Sequence, residues 1–158
     1  PIICNGYKDS EFIETVLYAT KIGYDITIVV EKMFELEKII RLAKKSGIVP
    51  KLGIRVKLSS KGTGKWATSG GEDAKFGLRV SEIIAAIDIL KKEGMIDNLK
   101  LLHFHIGSQI TKIDKIKNAL IEGTRIYVES FSAFSRVSSK SGIRFWVEVL
   151  RTSVTSTE

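Results

Sequence analysis

The stretch SEIIAAIDILKKEGMIDNLKLLHFHIGSQI, residues 81–110, changes period halfway along, and that change sets the fold class. From Ser81 the apolar residues recur at helical spacing, Lys91 and Lys92 occupy the last turn, and Gly94 stops the helix. From Leu99 to His105 a short apolar run follows, of the length expected for a strand buried on both faces. A helix feeding a buried strand is the repeating part of a parallel α/β sheet.

The same alternation continues on both sides. Ile2 to Cys4 reads as the end of a strand, and Asp9 or Ser10 can cap a helix through EFIETVLYATKIG. In that helix Phe12, Ile13, Val16 and Leu17 form one face and Gly23 is the stop. Ile26 to Val30 is the next strand, followed by a helix from about Phe34 to Lys45 with Gly47 after it. Leu52 to Leu58 is a third strand, and a last helix spans about Ile113 to Val128. The result is about four βα units with parallel strands, either in an open doubly wound sheet or in part of a (β/α)8 TIM barrel; periodicity fits both. In both folds ligands bind at the carboxyl ends of the strands, where CNGYKD, EKMFEL, the loop after GIRVKL and HFHIGSQ all fall. The connection from Ser59 to Gly77 far exceeds the ~2–6 residues usual for a βα loop and is expected to be functional or mobile.

Composition narrows the classes. With 158 residues and 44% hydrophobic content the chain can bury a core as one domain or as part of a larger one. It lacks both a membrane-length apolar run and the basic-then-apolar order of a signal peptide, so a cytoplasmic setting is expected. A single cysteine, Cys4, excludes an internal disulfide, and beside two histidines it cannot fill a structural zinc site. The net charge of +7 is dispersed over helix faces such as EKMFELEKIIRLAKKSG, and the tighter stretch KLSSKGTGKW has one aromatic and no RNA-binding consensus. Nucleic acid is a minor alternative partner.

Two glycine motifs fail. GTGKW lacks the glycine and the Ser or Thr of a phosphate loop, having Ser59 and Trp66 at those places, and no Gly-x-Gly-x-x-Gly opens a helix after a strand. The histidines are more informative. His103 and His105 share one face of their strand. That spacing also suits a metal pair at a barrel mouth, but a third ligand would have to come from another residue type. His103 reads as a buried histidine satisfied by backbone. His105 stands at the strand end, where a planar imidazole can lie against an aromatic cofactor, Gly107 allows close backbone approach, and Ser108 offers a hydroxyl to a phosphate.

With CNGYKD at 4–9, EKMFEL at 31–36, GIRVKLSSKGTGKWATSGGEDAKFGL at 53–78 and LLHFHIGSQI at 101–110, the chain resembles the biosynthetic arginine decarboxylases. These are fold-type-III pyridoxal-phosphate enzymes, related to the ornithine and diaminopimelate decarboxylases. The resemblance runs from Pro1 to about Glu129, in the same motif order, and it implies part of the N-terminal (β/α)8 barrel. It implies that His105 stacks on the pyridine ring of pyridoxal 5'-phosphate, that Ser108 lies at its phosphate, and that Arg55 is near the cofactor. A fixed charge on Arg55 would favour an anionic phosphate or phenolate. Lys75 matches a lysine tied to mobility and subunit contacts, and His103 lines the barrel one layer deeper. The lysine that forms the Schiff base matches a position before Pro1, so no catalytic residue is assigned within the chain.

The activity implied is decarboxylation of L-arginine to agmatine for polyamine synthesis, with Mg²⁺ as an auxiliary ion, in a homo-oligomer away from membranes. An ornithine or diaminopimelate decarboxylase is the sibling alternative, and a non-catalytic barrel remnant or binding module is the alternative from another class. By this reading residues 1–129 are part of the cofactor-binding barrel and the chain is a fragment that is inactive alone. Residues 130–158 depart from the family pattern: SFSAFSRVSSKSG is serine-rich, and FWVEVLRTSVTSTE stands where a Gly-Gly-Gly phosphate loop is due. A shifted reading frame or an alternative exon would produce such a tail.

Overall fold

The structure is a computed structural model describing residues 1–58, 75–108, 113–135 and 144–150. Strands and helices alternate: β1 (Ile2–Cys4), α1 (Ser10–Lys21), β2 (Ile26–Val30), α2 (Met33–Ser46), β3 (Lys51–Val56), α3 (Val80–Lys92), β4 (Leu99–Ser108), α4 (Ile113–Ser135) and β5 (Arg144–Leu150). The strands form one sheet in the order β1-β2-β3-β4-β5, each pairing its neighbours in parallel.

That order decides between the two architectures. A doubly wound sheet reverses its strand order at a switch point, whereas unbroken sequential order with right-handed crossovers puts every helix on one side. The core agrees. Ile13 and Leu17 of α1, Leu36 and Ile39 of α2, Ile83 and Leu90 of α3, and Ala119 and Ile126 of α4 pack in one cluster with Ile28, Val30, Leu52, Ile54, Leu102 and Phe104. The alternate strand residues, Thr27, Val29, Gly53, Arg55, Leu101 and His103, point away from the helices into the concave face. The fold is a partial (β/α)8 barrel.

Local chemistry explains the helix ends. Asp9, rather than Ser10, caps α1, its Oδ1 accepting the Phe12 N–H at 2.8 Å. Gly47 closes α2 in the left-handed region at φ 66°, where its N–H reaches the carbonyls of Ala43 and Lys44. Before α3 the Glu82 carboxylate accepts the Arg79 N–H at 2.8 Å. Phe12 departs from expectation: it is 40% exposed, because Ile13, Val16 and Leu17 already fill the stripe and Phe12 lies at its edge.

Element boundaries differ in several places, β4 among them, which runs to Ser108 rather than His105. β3 stops at Val56 instead of Leu58, because the Lys57 N–H turns to the Leu78 carbonyl at 2.9 Å and Val56 bridges Leu78. Helix α4 continues past Val128 and Glu129 to Ser135. Beyond it β5 adds a fifth strand, RFWVEVL, whose aromatic and β-branched content suits a sheet. The long connection after β3 lies outside the described residues from 59 to 74, and so do GTGKW and the segments 136–143 and 151–158.

Two register slips shape β4. Leu52 pairs with Leu99 but Gly53 pairs with Leu101, which leaves Lys100 as an extra residue. A Cβ on Gly53 would come within 3.1 Å of the Leu101 side chain, so glycine makes the room for Leu101 on the concave face. Further along, His105 pairs with Glu148 and Ser108 with Leu150, so β4 spends three residues where β5 spends two.

Candidate functional site

The carboxyl ends of β2, β3 and β4 bring three polar residues into one row. Val30 pairs with Ile54, so the next residue, Glu31, comes beside Arg55, and Arg55 pairs with His103. His105 is two residues farther along β4, with its Cα about 8 Å from that of Arg55 by standard strand spacings. The floor below is sealed: Val29, Leu101 and His103 are 0%, 3% and 1% exposed. His105 is half-buried and stands at the lip.

Behind the row lies a buried network of charges. Glu31 Oε1 accepts the Gly6 N–H at 2.8 Å and Arg55 Nη1 at 3.0 Å. Glu31 is fully buried and the Arg55 side chain is 13% exposed. The Glu31 N–H donates to Glu35 Oε2 at 2.8 Å, and the same oxygen lies 3.4 Å from Lys8 Nζ. Lys8 Nζ also donates to the Gly6 carbonyl. The segment entering α3 is tied in as well, Gly77 N–H to the Glu31 carbonyl at 3.1 Å and Leu78 N–H to the Arg55 carbonyl at 2.8 Å. Gly77 sits at φ 103°, and a Cβ there would lie 3.2 Å from the backbone of Val56 and Lys57, so glycine is required twice over.

Charged groups of this kind are buried only when paired and hydrogen-bonded, and each one here is. Lys8 is the fully buried lysine among the described residues, and its engagement by Glu35 and Gly6 gives it a structural position. Burial pushes the nearby Cys4 thiol up, with the Lys8 charge opposing. Among the described residues no three His, Cys, Asp or Glu side chains come together as a metal site. None of their helices is long and apolar enough to cross a membrane.

Of the residues singled out from sequence, Arg55, His103 and His105 share the concave face, with His103 in the floor. Gly107 and Ser108 end β4, and the slip between His105 and Ser108 brings Ser108 into register two β5 residues beyond the partner of His105. Lys75 is exposed, its ammonium 5.7 Å from the Phe76 ring centroid. Sequence reasoning missed Glu31, Glu35 and Lys8 as individuals. Of these, Glu35 left a signal, since it interrupts the apolar stripe of α2 beside Leu36 and Ile39, whereas Glu31 simply follows β2.

Known proteins resemble this chain over most of its length. The family model described as pyridoxal-dependent decarboxylase, pyridoxal binding domain, matches residues 2–136. The biosynthetic arginine decarboxylase of Citrifermentans bemidjiense is 80% identical over 129 residues, 82% of this chain and 20% of that protein. The enzyme of that name from Geobacter sulfurreducens is 85% identical over the same extent. The chain thus spans about a fifth of the length of the curated relatives it matches. Among solved structures, the biosynthetic arginine decarboxylase of Campylobacter jejuni superposes with a TM-score of 0.75 at 37% identity, covering 86% of this chain and 21% of that one. Diaminopimelate decarboxylase from Helicobacter pylori, complexed with L-lysine, gives 0.70 at 25% identity over 91% of this chain and 34% of its own. With residues 2–136 matched by that family model, the chain belongs to the pyridoxal-dependent decarboxylases, in their pyridoxal-binding domain.

Proposed function

We propose that the polypeptide carrying this chain decarboxylates L-arginine to agmatine using pyridoxal 5'-phosphate. The observation that carries the reading is identity of 80 to 85% to proteins named biosynthetic arginine decarboxylase. The residues present fit the cofactor: a half-buried imidazole stands above a sealed, apolar-sided floor, next to a guanidinium with N–H groups beyond the one given to Glu31. When bound, pyridoxal phosphate supplies the electron sink for the pair left on the substrate carbon as carbon dioxide departs, before a proton replaces the carboxylate.

In this reading His105 lies against the ring face and shields it, Gly107 lets the backbone approach, and Ser108 donates to the phosphate. Arg55 donates toward an anionic oxygen of the cofactor, and the sealed floor keeps water from below. Magnesium is the auxiliary ion of the proposed reaction. The enzyme works in the cytoplasm as a homo-oligomer.

The test is release of labelled carbon dioxide from carboxyl-labelled arginine by the full-length protein reconstituted with the cofactor. Turnover of ornithine or diaminopimelate in place of arginine would move the assignment to a sibling enzyme. Failure to bind pyridoxal phosphate, together with binding to nucleic acid that falls steeply with salt, would leave a non-catalytic module instead.

A further inference from the structure

Arg55 does not enter the concave face as a free cation. Its Nη1 is 3.0 Å from Glu31 Oε1, and the carboxylate is wholly buried. Oε1 is itself fixed by the Gly6 N–H, while Oε2 has no hydrogen-bond partner among the described residues. The backbones of both partners are tied to the segment entering α3, through Gly77 to Glu31 and Leu78 to Arg55. One carboxylate therefore faces one guanidinium, and three loops hold the pair in place.

We infer that Glu31 is the positioning residue for Arg55, aiming its guanidinium across the concave face while cancelling its charge. The pair presents oriented N–H donors without a net positive field. A guanidinium is planar, so anchoring one nitrogen sets the direction of the others, which a lysine ammonium could not do. Cancellation matters because the substrate proposed above is itself a cation, and a bare buried charge beside it would repel it. The substrate consequence rests on that proposed function; the cofactor consequence does not need arginine.

Two substitutions separate aim from charge. Glu31→Gln keeps an acceptor for Gly6 and Arg55 but uncovers the Arg55 charge. Glu31→Asp keeps the charge but is one methylene too short to hold both donors. Pyridoxal phosphate is titrated into the full-length apoprotein, following the cofactor's absorbance, at low and high salt. Glu31→Gln is expected to bind it about tenfold more tightly at low salt, with the gain lost at high salt through screening, and to raise KM for arginine about tenfold with kcat little changed. Glu31→Asp is expected to bind it several-fold more weakly without added salt dependence. Shifts in the same direction for both variants, or no salt dependence in Glu31→Gln, overturn the inference.

Should Glu31→Gln fail to fold, Arg55→Lys carries the test, since it preserves the charge balance and loses only the planar fork. It is expected to weaken cofactor binding several-fold at every salt concentration, and unchanged binding overturns the inference. Cofactor titrations that follow this pattern in a protein that does not turn over arginine would sink the substrate assignment and leave the role of Glu31 standing. A wild-type protein that binds no pyridoxal phosphate overturns both.

Discussion

Lys8 and Glu35 show how a single buried residue can hold a loop. Both side chains are almost fully buried and 3.4 Å apart, so removing either leaves a charge with no counterpart. Lys8→Met is expected to cost about 3–5 kcal/mol. Adding Glu35→Gln removes the stranded charge while keeping an acceptor for the Glu31 N–H, and is expected to recover part of the loss. Urea denaturation of the two variants and the wild type gives the comparison. For His105 the expected chemistry is stacking rather than proton transfer. His105→Phe should therefore retain most of the cofactor affinity, while His105→Ala loses about tenfold, in line with an aromatic contact of ~0.5–1.5 kcal/mol. Equal losses in both variants would mean that a ring nitrogen matters. The place of His105 on the same face of β4 as His103 was legible in the sequence, from their two-residue spacing. Glu31 was not, because a charge at a strand end looks the same whether it faces solvent or a guanidinium.

Helices and strands were legible where side-chain chemistry marks their ends. Asp9 and Gly47 were both readable as stops and caps, and both act as such. Asp9→Ala is expected to lower stability by about 1 kcal/mol, measurable as a shift in urea midpoint at unchanged slope. The end of β3 was not readable. Lys57 and Leu58 continue the strand pattern, and only pairing with Leu78, twenty residues on, diverts the chain. Helices α2 and α3 meet at their last turns through Lys44 and Glu93. The Lys44 hydrogen bond and charge hold the Glu93 carboxyl below its ordinary range. A depressed carboxyl contributes stability above the unfolded-state value and loses it as the pH falls through the folded-state value. The difference in urea midpoint between wild type and Glu93→Gln should therefore be present at neutral pH, close in acid, and shrink with added salt.

At the scale of the whole molecule, alternation of strands and helices was legible but winding was not. Every βα unit reads alike whether the next strand is laid on the left or the right, so the sequential order β1 to β5 is a property of the assembled sheet. β1 and β5 each have one strand neighbour among the described residues, which leaves one edge of each available for pairing. Exposed Ile2, Tyr7 and Tyr24 lie near β1 and its flanking turns. The 158-residue polypeptide alone is accordingly expected to self-associate as concentration rises, read by sedimentation velocity. A monomer at all concentrations with a cooperative thermal transition would show that the two edges are covered within one chain.

The extra residue at Lys100 gives the gene an asymmetric tolerance. Strand β4 enters the sheet at Leu99 on the helix side, and Lys100 absorbs the half-step that turns Leu101, His103 and His105 toward the concavity. Losing the Lys100 codon would straighten the strand and leave every later residue on its present side. Gaining a codon after Lys100 would put two extra residues in place of one, which must either bulge further or slide Leu99 two residues out of its pairing with Leu52. Among in-frame length changes at this point, descendants should carry deletions and lack insertions.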